Sequence, residues 1–166
     1  MSAAVLDACC GGRMMWFDKS DSRAVFIDKR AEELQLIDRS KKSGVRHLTV
    51  SPDLIADFTN LPFRDGSFSL VVFDPPHLKR GGKNSWMIAK YGKLEENWEE
   101  ELRDGFSECW RVLQGNGTLI FKWSEVQIPL SRILPLAPTG PLFGNRCGKS
   151  NKLHWVVFFK EVSQGE

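Results

Sequence analysis

An apolar, partly β-branched run, Leu70-Val71-Val72-Phe73, ends abruptly in Asp74-Pro75-Pro76-His77. Neither proline can donate to a sheet ladder, so a buried strand through Phe73 must stop at Asp74. This sets a carboxylate at the carboxyl end of a central strand, the edge of an open α/β sheet over which ligands sit. The two prolines fix the chain as it leaves the sheet and hold an acceptor pair, the Asp74 carboxylate and the Pro75 carbonyl, with the His77 ring nearby. Such a pair suits an –NH2 group, which has two protons to give. The same residues also make an ordinary turn after a strand, since Asp and Pro are common turn formers.

Three more candidate strands end in an acid. Residues 3–7 finish at Asp7 and run into Ala8-Cys9-Cys10-Gly11-Gly12, a turn of small side chains that lets a ligand approach the backbone. Residues 23–27 lead to Asp28, 21 positions beyond Asp7, the spacing at which a Rossmann-like unit sets an acid against a ribose diol. Residues 53–57 finish at Asp57, followed by Phe58. A core has no use for a repeated strand-end carboxylate, so a polar ligand along one rim is the better explanation. A pyrophosphate cofactor would ask for G-x-G-x-x-G and a well-formed helix behind it, and the turn here has neither. A ligand with adenosine and no phosphate needs the acids and less of the glycine.

The segment 78–93 carries Lys79, Arg80, Lys83, Lys90 and Lys93 with Gly81, Gly82, Trp86, Tyr91 and Gly92, and no acidic residue. Basic and aromatic side chains on a glycine-bearing loop can grip a phosphate backbone and stack a base. A solvated surface loop has the same composition, although a long loop inside a compact domain more often acts as a lid.

The elements that must position these residues alternate. Residues 13–19 suit one or two helical turns, 30–37 a helix, 41–51 a polar connection, and 95–113 an amphipathic helix with Trp98, Leu102, Phe106, Cys109 and Leu113 on one stripe. Gln114-Gly115-Asn116-Gly117 caps that helix, 118–123 returns as a buried strand, 128–136 is a short helix, and 153–159 is the last strand with 141–143 as its hairpin partner. This order implies an α/β protein: a mostly parallel central sheet with a terminal antiparallel hairpin and helices on both faces. At 166 residues the chain is read as one domain, 1–166, with 78–97 as its active-site or target loop.

Composition narrows the partners. A hydrophobic share of 42% and a charged share of 27% fit a soluble globular protein, and no apolar run reaches membrane-span length. Residues 1–6 are too short and uncharged for a secretory signal, so a cytoplasmic setting is expected. Cys9, Cys10, Cys109 and Cys147 form no CxxC pair, so free thiols are expected and no metal. A formal charge of +2 does not by itself announce a nucleic-acid binder.

Several stretches, taken in order, resemble class I S-adenosylmethionine-dependent methyltransferases. Val5-Leu6-Asp7-Ala8-Cys9-Cys10-Gly11-Gly12 is similar to their first motif, and Ile55-Ala56-Asp57-Phe58-Thr59-Asn60-Leu61-Pro62-Phe63 through Val71-Val72-Phe73-Asp74 resembles their middle section. Arg111-Val112-Leu113-Gln114-Gly115-Asn116-Gly117-Thr118-Leu119 is similar to their late helix-loop-strand, and Asp74-Pro75-Pro76-His77 resembles the D/N-P-P-Y/F/W signature of the amino-methyltransferase branch. The chain also looks like small methyltransferase-type proteins of phages and prophages. Cys9 and Arg13 stand where the family usually has glycines, and His77 replaces its larger aromatic.

The resemblance implies S-adenosylmethionine as cofactor, with Asp7, Ala8, Cys9, Cys10 and Gly11 around the methionine part, Asp28 on the ribose, and Asp57 with the Phe58 amide on the adenine edge. It implies methyl transfer to an amino nitrogen such as adenine N6, with Asp74, Pro75, Pro76 and His77 at the reacting centre. Lys79, Arg80, Lys83, Trp86 and Tyr91 would contact a DNA or RNA substrate. A glutamine amide of a protein fits the same acceptor pair, and a cofactor-binding module without catalysis is the remaining alternative.

Overall fold

The computed structural model describes residues 4–38, 40–82 and 85–162. The described residues form, in chain order, β1 (Val5–Asp7), β2 (Ala24–Asp28), β3 (Glu32–Ile37), β4 (Val45–Val50), β5 (Leu54–Ile55), β6 (Phe68–Phe73), α1 (Trp86–Tyr91), α2 (Trp98–Val112), β7 (Leu113–Ser124), α3 (Leu130–Ile133) with a 3₁₀ turn Leu134–Leu136, β8 (Phe143–Cys147) and β9 (Leu153–Lys160). Seven strands form one sheet in the order β5-β2-β1-β6-β7-β9-β8. The first five in that order run parallel, β9 is antiparallel to β7, and β8 is antiparallel to β9. The mostly parallel sheet with a terminal antiparallel hairpin is as the sequence implies.

Period-2 alternation decides what each face buries. Leu6, Ile27, Val71, Phe73, Leu119, Phe121, Val156 and Phe158 point to one side and form the main core with Trp98, Leu102, Phe106, Cys109 and Val112 of α2. Those helical residues recur every three to four positions, and Glu99, Glu100 and Glu101 complement the macrodipole in the first turn. Burying each large apolar side chain stabilises the fold by about 2 kcal/mol as an upper bound. Gly105 sits at the tightest point: a Cβ there would lie 2.6 Å from Phe58 Cδ2 and 2.8 Å from Phe73 Cζ.

Helical cover was expected on both faces, and the packing differs. On the second face Val5, Ala24 and Phe26 are covered by Cys10 and Trp16, whose ring meets Phe26 edge-on at 4.7 Å. Residues 13–19 form turns in place of the expected helical turns. Arg13 adopts φ 51, a left-handed conformation that costs a non-glycine residue about 1–3 kcal/mol. Its guanidinium offsets the cost by donating to Ser51 O at 2.7 Å and Asp53 Oδ1 at 2.9 Å, and it stacks 3.9 Å over Phe26.

Residues 30–37, expected to be helical, contain β3 instead, and the expected connection 41–51 contains its antiparallel partner β4. Glu32, Leu34 and Leu36 are half-buried while Glu33, Gln35 and Ile37 are exposed, a two-residue period that the stretch shares with its partner strand and that no helix accommodates. Two further expectations shift in extent. The strand at 53–57 shortens to β5, and the final hairpin partner begins at Phe143 and runs on to Cys147. The expected cap 114–117 is instead incorporated into β7.

Candidate active site

Register brings the strand-end acids to one rim. Asp7 pairs with Phe26 on one side and Val72 on the other, so Asp28 and Asp74, each two residues further on, stand at the carboxyl ends of the strands flanking β1. The sheet order reverses between β1 and β6, which is where open α/β sheets hold ligands. A cavity of about 530 Å³ lies at this rim. Its walls come from Ala8 to Gly12, Asp28, Ala56, Phe58, Asp74, Pro76 and Tyr91, with Met14, Met15, Lys29, Arg30, Lys90, Lys93 and Lys122 among the rest.

Asp28 is buried at this wall and braces the first turn. Its Oδ2 accepts from Gly11 N at 3.0 Å, and its Oδ1 accepts from Arg30 N at 2.9 Å and Arg30 Nε at 3.2 Å. Arg30 also donates from Nη1 to Ala89 O at 2.9 Å, tying the strand end to α1.

Asp74 is 17% exposed at the side chain and accepts from Lys122 Nζ at 2.6 Å. Burial pushes its carboxyl above the usual carboxylate range, while the Lys122 charge and hydrogen bond pull the other way.

Two acids expected on the ligand do not reach the cavity wall. Asp7 is wholly buried beneath it; Oδ1 accepts from Cys9 N at 3.3 Å and Oδ2 from Trp16 Nε1 at 2.7 Å. Its burial, above all, lifts the carboxyl from 3.8 to about 7. Asp57 accepts from Thr59 N at 2.9 Å and Thr59 Oγ1 at 2.8 Å, closing its own turn, while its neighbours Ala56 and Phe58 face the cavity. The Phe58 amide donates to no other group among the described residues.

His77 also turns away from the cavity. It packs against Tyr91 at 5.2 Å and Trp123 at 6.3 Å, and burial, aided by the Lys122 charge, holds it down to about 4. It is therefore a neutral ring in the wall behind Asp74. Pro75 is buried and Pro76 reaches the cavity.

The basic loop divides. Lys79 N and Arg80 N both donate to Gln127 Oε1, which clamps them away from the cavity, and Lys79 Nζ lies 5.2 Å from the Trp98 ring. Trp86 is 41% exposed on α1, with Arg46 Cζ 5.2 Å and Lys90 Nζ 5.6 Å from its ring. Tyr91 lines the cavity, with Lys90 Nζ 4.6 Å from its ring. Lys83 lies outside the described residues.

Sequence reasoning missed Lys122 and Arg30. The signal for Lys122 was its isolation: one cation in the apolar run Leu119-Ile120-Phe121-Lys122-Trp123, on the sheet face shared with Asp74. The thiols are free, Cys10 and Cys109 buried, Cys9 and Cys147 half-buried. No described helix is long and apolar enough to cross a membrane.

Strand order, antiparallel hairpin and rim cavity together make this the fold of class I S-adenosylmethionine-dependent methyltransferases. The sequence matches no family model and no curated protein. Solved structures match it across nearly the whole chain. A protein from Pyrococcus horikoshii has a TM-score of 0.58 at 16% identity, covering 95% of this chain and 81% of that one. A SAM-dependent methyltransferase from Leishmania major has a TM-score of 0.55 at 12% identity, with 94% of this chain and 63% of that one covered. A geranyl diphosphate methyltransferase in complex with GPP and sinefungin, an S-adenosylmethionine analogue, has a TM-score of 0.53 at 8% identity, with 94% and 71% covered. At such identities the likeness is one of fold.

Proposed function

We propose that this chain transfers a methyl group from S-adenosylmethionine to an exocyclic amine of DNA or RNA, with adenine N6 the first acceptor to test. The observation that carries the reading is Asp74, held behind a proline pair on the wall of the cavity that also contains the Ala8–Gly12 turn and Asp28. The residues present fit the cofactor. The volume of about 530 Å³ lies within the usual range for small-molecule sites. Asp28 accepts three hydrogen bonds, and a carboxylate has about four lone-pair sites, so a ribose hydroxyl still finds an acceptor. The Phe58 amide supplies a donor for the adenine edge, and the small residues of the first turn leave room for the methionine part.

When bound, the cofactor supplies an electrophilic methyl on a sulfonium. The chain's own contribution is positioning. Asp74 accepts a hydrogen bond from the amine, aims its lone pair, and takes up the proton the amine must shed. Lys90 and Lys93 at the cavity, with Trp86 beside Lys90, suit a phosphate backbone and favour a nucleic-acid acceptor over a protein one. Free thiols suit a cytoplasmic setting.

The test is to incubate the protein with methyl-labelled donor and, separately, DNA, RNA and cell extract. Label in nucleic acid, released as an N-methylated base, is the expected result. Label confined to protein would transfer the reading to a glutamine amide. Donor binding without transfer to any fraction would leave only a cofactor-binding module.

A further inference from the structure

Asp74 does not face the cavity alone. Lys122 lies across from it on the neighbouring strand, lines the same cavity and is 18% exposed at the side chain. An ammonium carries three N–H donors. One goes to Asp74 Oδ2 at 2.6 Å, and among the described residues no other group accepts from Nζ. Trp155, in register on β9, has its ring 5.7 Å from Nζ, a contact that supports the ammonium without using a donor. The cavity wall thus presents a carboxylate acceptor and, bonded to it, a cation with donors unspent. A purely structural ion pair would account for the contact but not for unspent donors at a ligand cavity.

We infer that Asp74 and Lys122 read the methyl acceptor as a pair, Asp74 taking a proton of the –NH2 group and Lys122 donating to the lone pair of the ring nitrogen that flanks it. This rests on the amino-methyl-transfer reading and narrows it to an amidine-like edge: adenine N6 beside N1 or N7, or cytosine N4 beside N3. An alkylammonium has no such lone pair, and Lys122 and Lys90 would repel its charge. A site built to bond a specific lone pair rejects an analogue that lacks it, because its own donor is then left buried and unpaired.

The experiment compares oligonucleotides carrying a single target adenine, 1-deazaadenine or 7-deazaadenine, methylated by the wild type, Lys122→Met and Lys122→Arg. The readout is the kcat/KM ratio of adenine to each analogue within one enzyme; comparing these ratios between enzymes cancels the intrinsic reactivity of the bases. For the wild type, one analogue should be rejected by a factor of about 10 to 100, on the order of a lost hydrogen bond to a charged group. Lys122→Met should lose that discrimination, and Lys122→Arg should restore part of it. Thermal melting checks that each variant is folded, with Lys122→Gln as a second neutral replacement if Met is not.

If cytosine proves to be the target, the same comparison with 3-deazacytosine tests the pair. Discrimination retained in both neutral variants overturns the inference while leaving methyl transfer intact. Transfer to a glutamine-containing peptide and to no oligonucleotide overturns the nucleobase assignment. Absence of transfer to any acceptor by the wild type overturns the parent reading, and the inference with it.

Discussion

Asp7 and His77 are two buried ionisable groups whose effects on stability oppose each other across the same pH range. Burial lifts the Asp7 carboxyl from 3.8 to about 7, against the lowering by the Trp16 and Cys9 hydrogen bonds and with a further push from Asp74 and Asp28. In the unfolded chain it ionises near 3.8. Between these values the native state holds a proton that the unfolded state has released, so stability falls as pH rises from about 4 to 8. The displacement is worth about 4 kcal/mol. Burial holds His77 down from 6.5 to about 4. There the unfolded state holds the extra proton, so stability rises with pH over the same interval, by about 3 kcal/mol. In the wild type the two slopes oppose each other, and Asp74, also raised, adds in the sense of Asp7.

Asp7→Asn keeps an acceptor for Trp16 Nε1 and carries a pH-independent offset of about 1 kcal/mol from the weakened turn. Urea midpoints measured at intervals from pH 4.5 to 8, with a common m-value, give the difference between variant and wild type. That difference should climb toward the variant by about 3 kcal/mol across the range, since part of the Asp7 effect already lies below pH 4.5. His77→Gln should show the opposite trend against wild type. A difference for Asp7→Asn that stays constant within about 1 kcal/mol would refute the assignment of a buried, proton-holding Asp7.

Three further outcomes follow from the site. Asp74→Ala should lower methyl transfer at least about 100-fold while calorimetry finds donor affinity changed only a few fold, because in the proposed reaction it is the charged acceptor for the amine; retained turnover removes Asp74 from the mechanism. Asp28→Ala releases Gly11 N and Arg30 together, so the donor Kd should rise about tenfold or more, and a change below twofold contradicts the ribose role. Gly105→Ala gains about 1 kcal/mol of helix propensity but drives a methyl into Phe58 and Phe73, a cost of about 1–3 kcal/mol. The expected net is a loss in melting stability together with weaker donor binding, since Phe58 is a wall of the cavity.

Local signals carried far in this chain where they were strong. Proline after Asp74 ends a strand whatever surrounds it, and the three-to-four spacing of Trp98, Leu102, Phe106 and Cys109 has one helical solution. Such signals failed where the segment was short and evenly mixed. Residues 30–37 read as helical from their mixed composition, and the strand is fixed by pairing with the partner at 45–50. A turn at residues 13–19 is stabilised by Arg13 bonds to residues almost 40 positions away, which no local window contains.

What the sequence alone determined is the set of strand-end acids, the small-residue turn and the order along the chain of the main-sheet strands, because these depend on backbone chemistry and alternation within a few residues. Tertiary structure alone decided which acids line the cavity. Register across β1, β2 and β6 sets Asp28 and Asp74 on the cavity wall, while the packing of Trp16 and the Thr59 turn withdraw Asp7 and Asp57 from it. Only the folded sheet brings Lys122 against Asp74, 48 positions away, since hydrogen bonding between strands ignores distance along the chain.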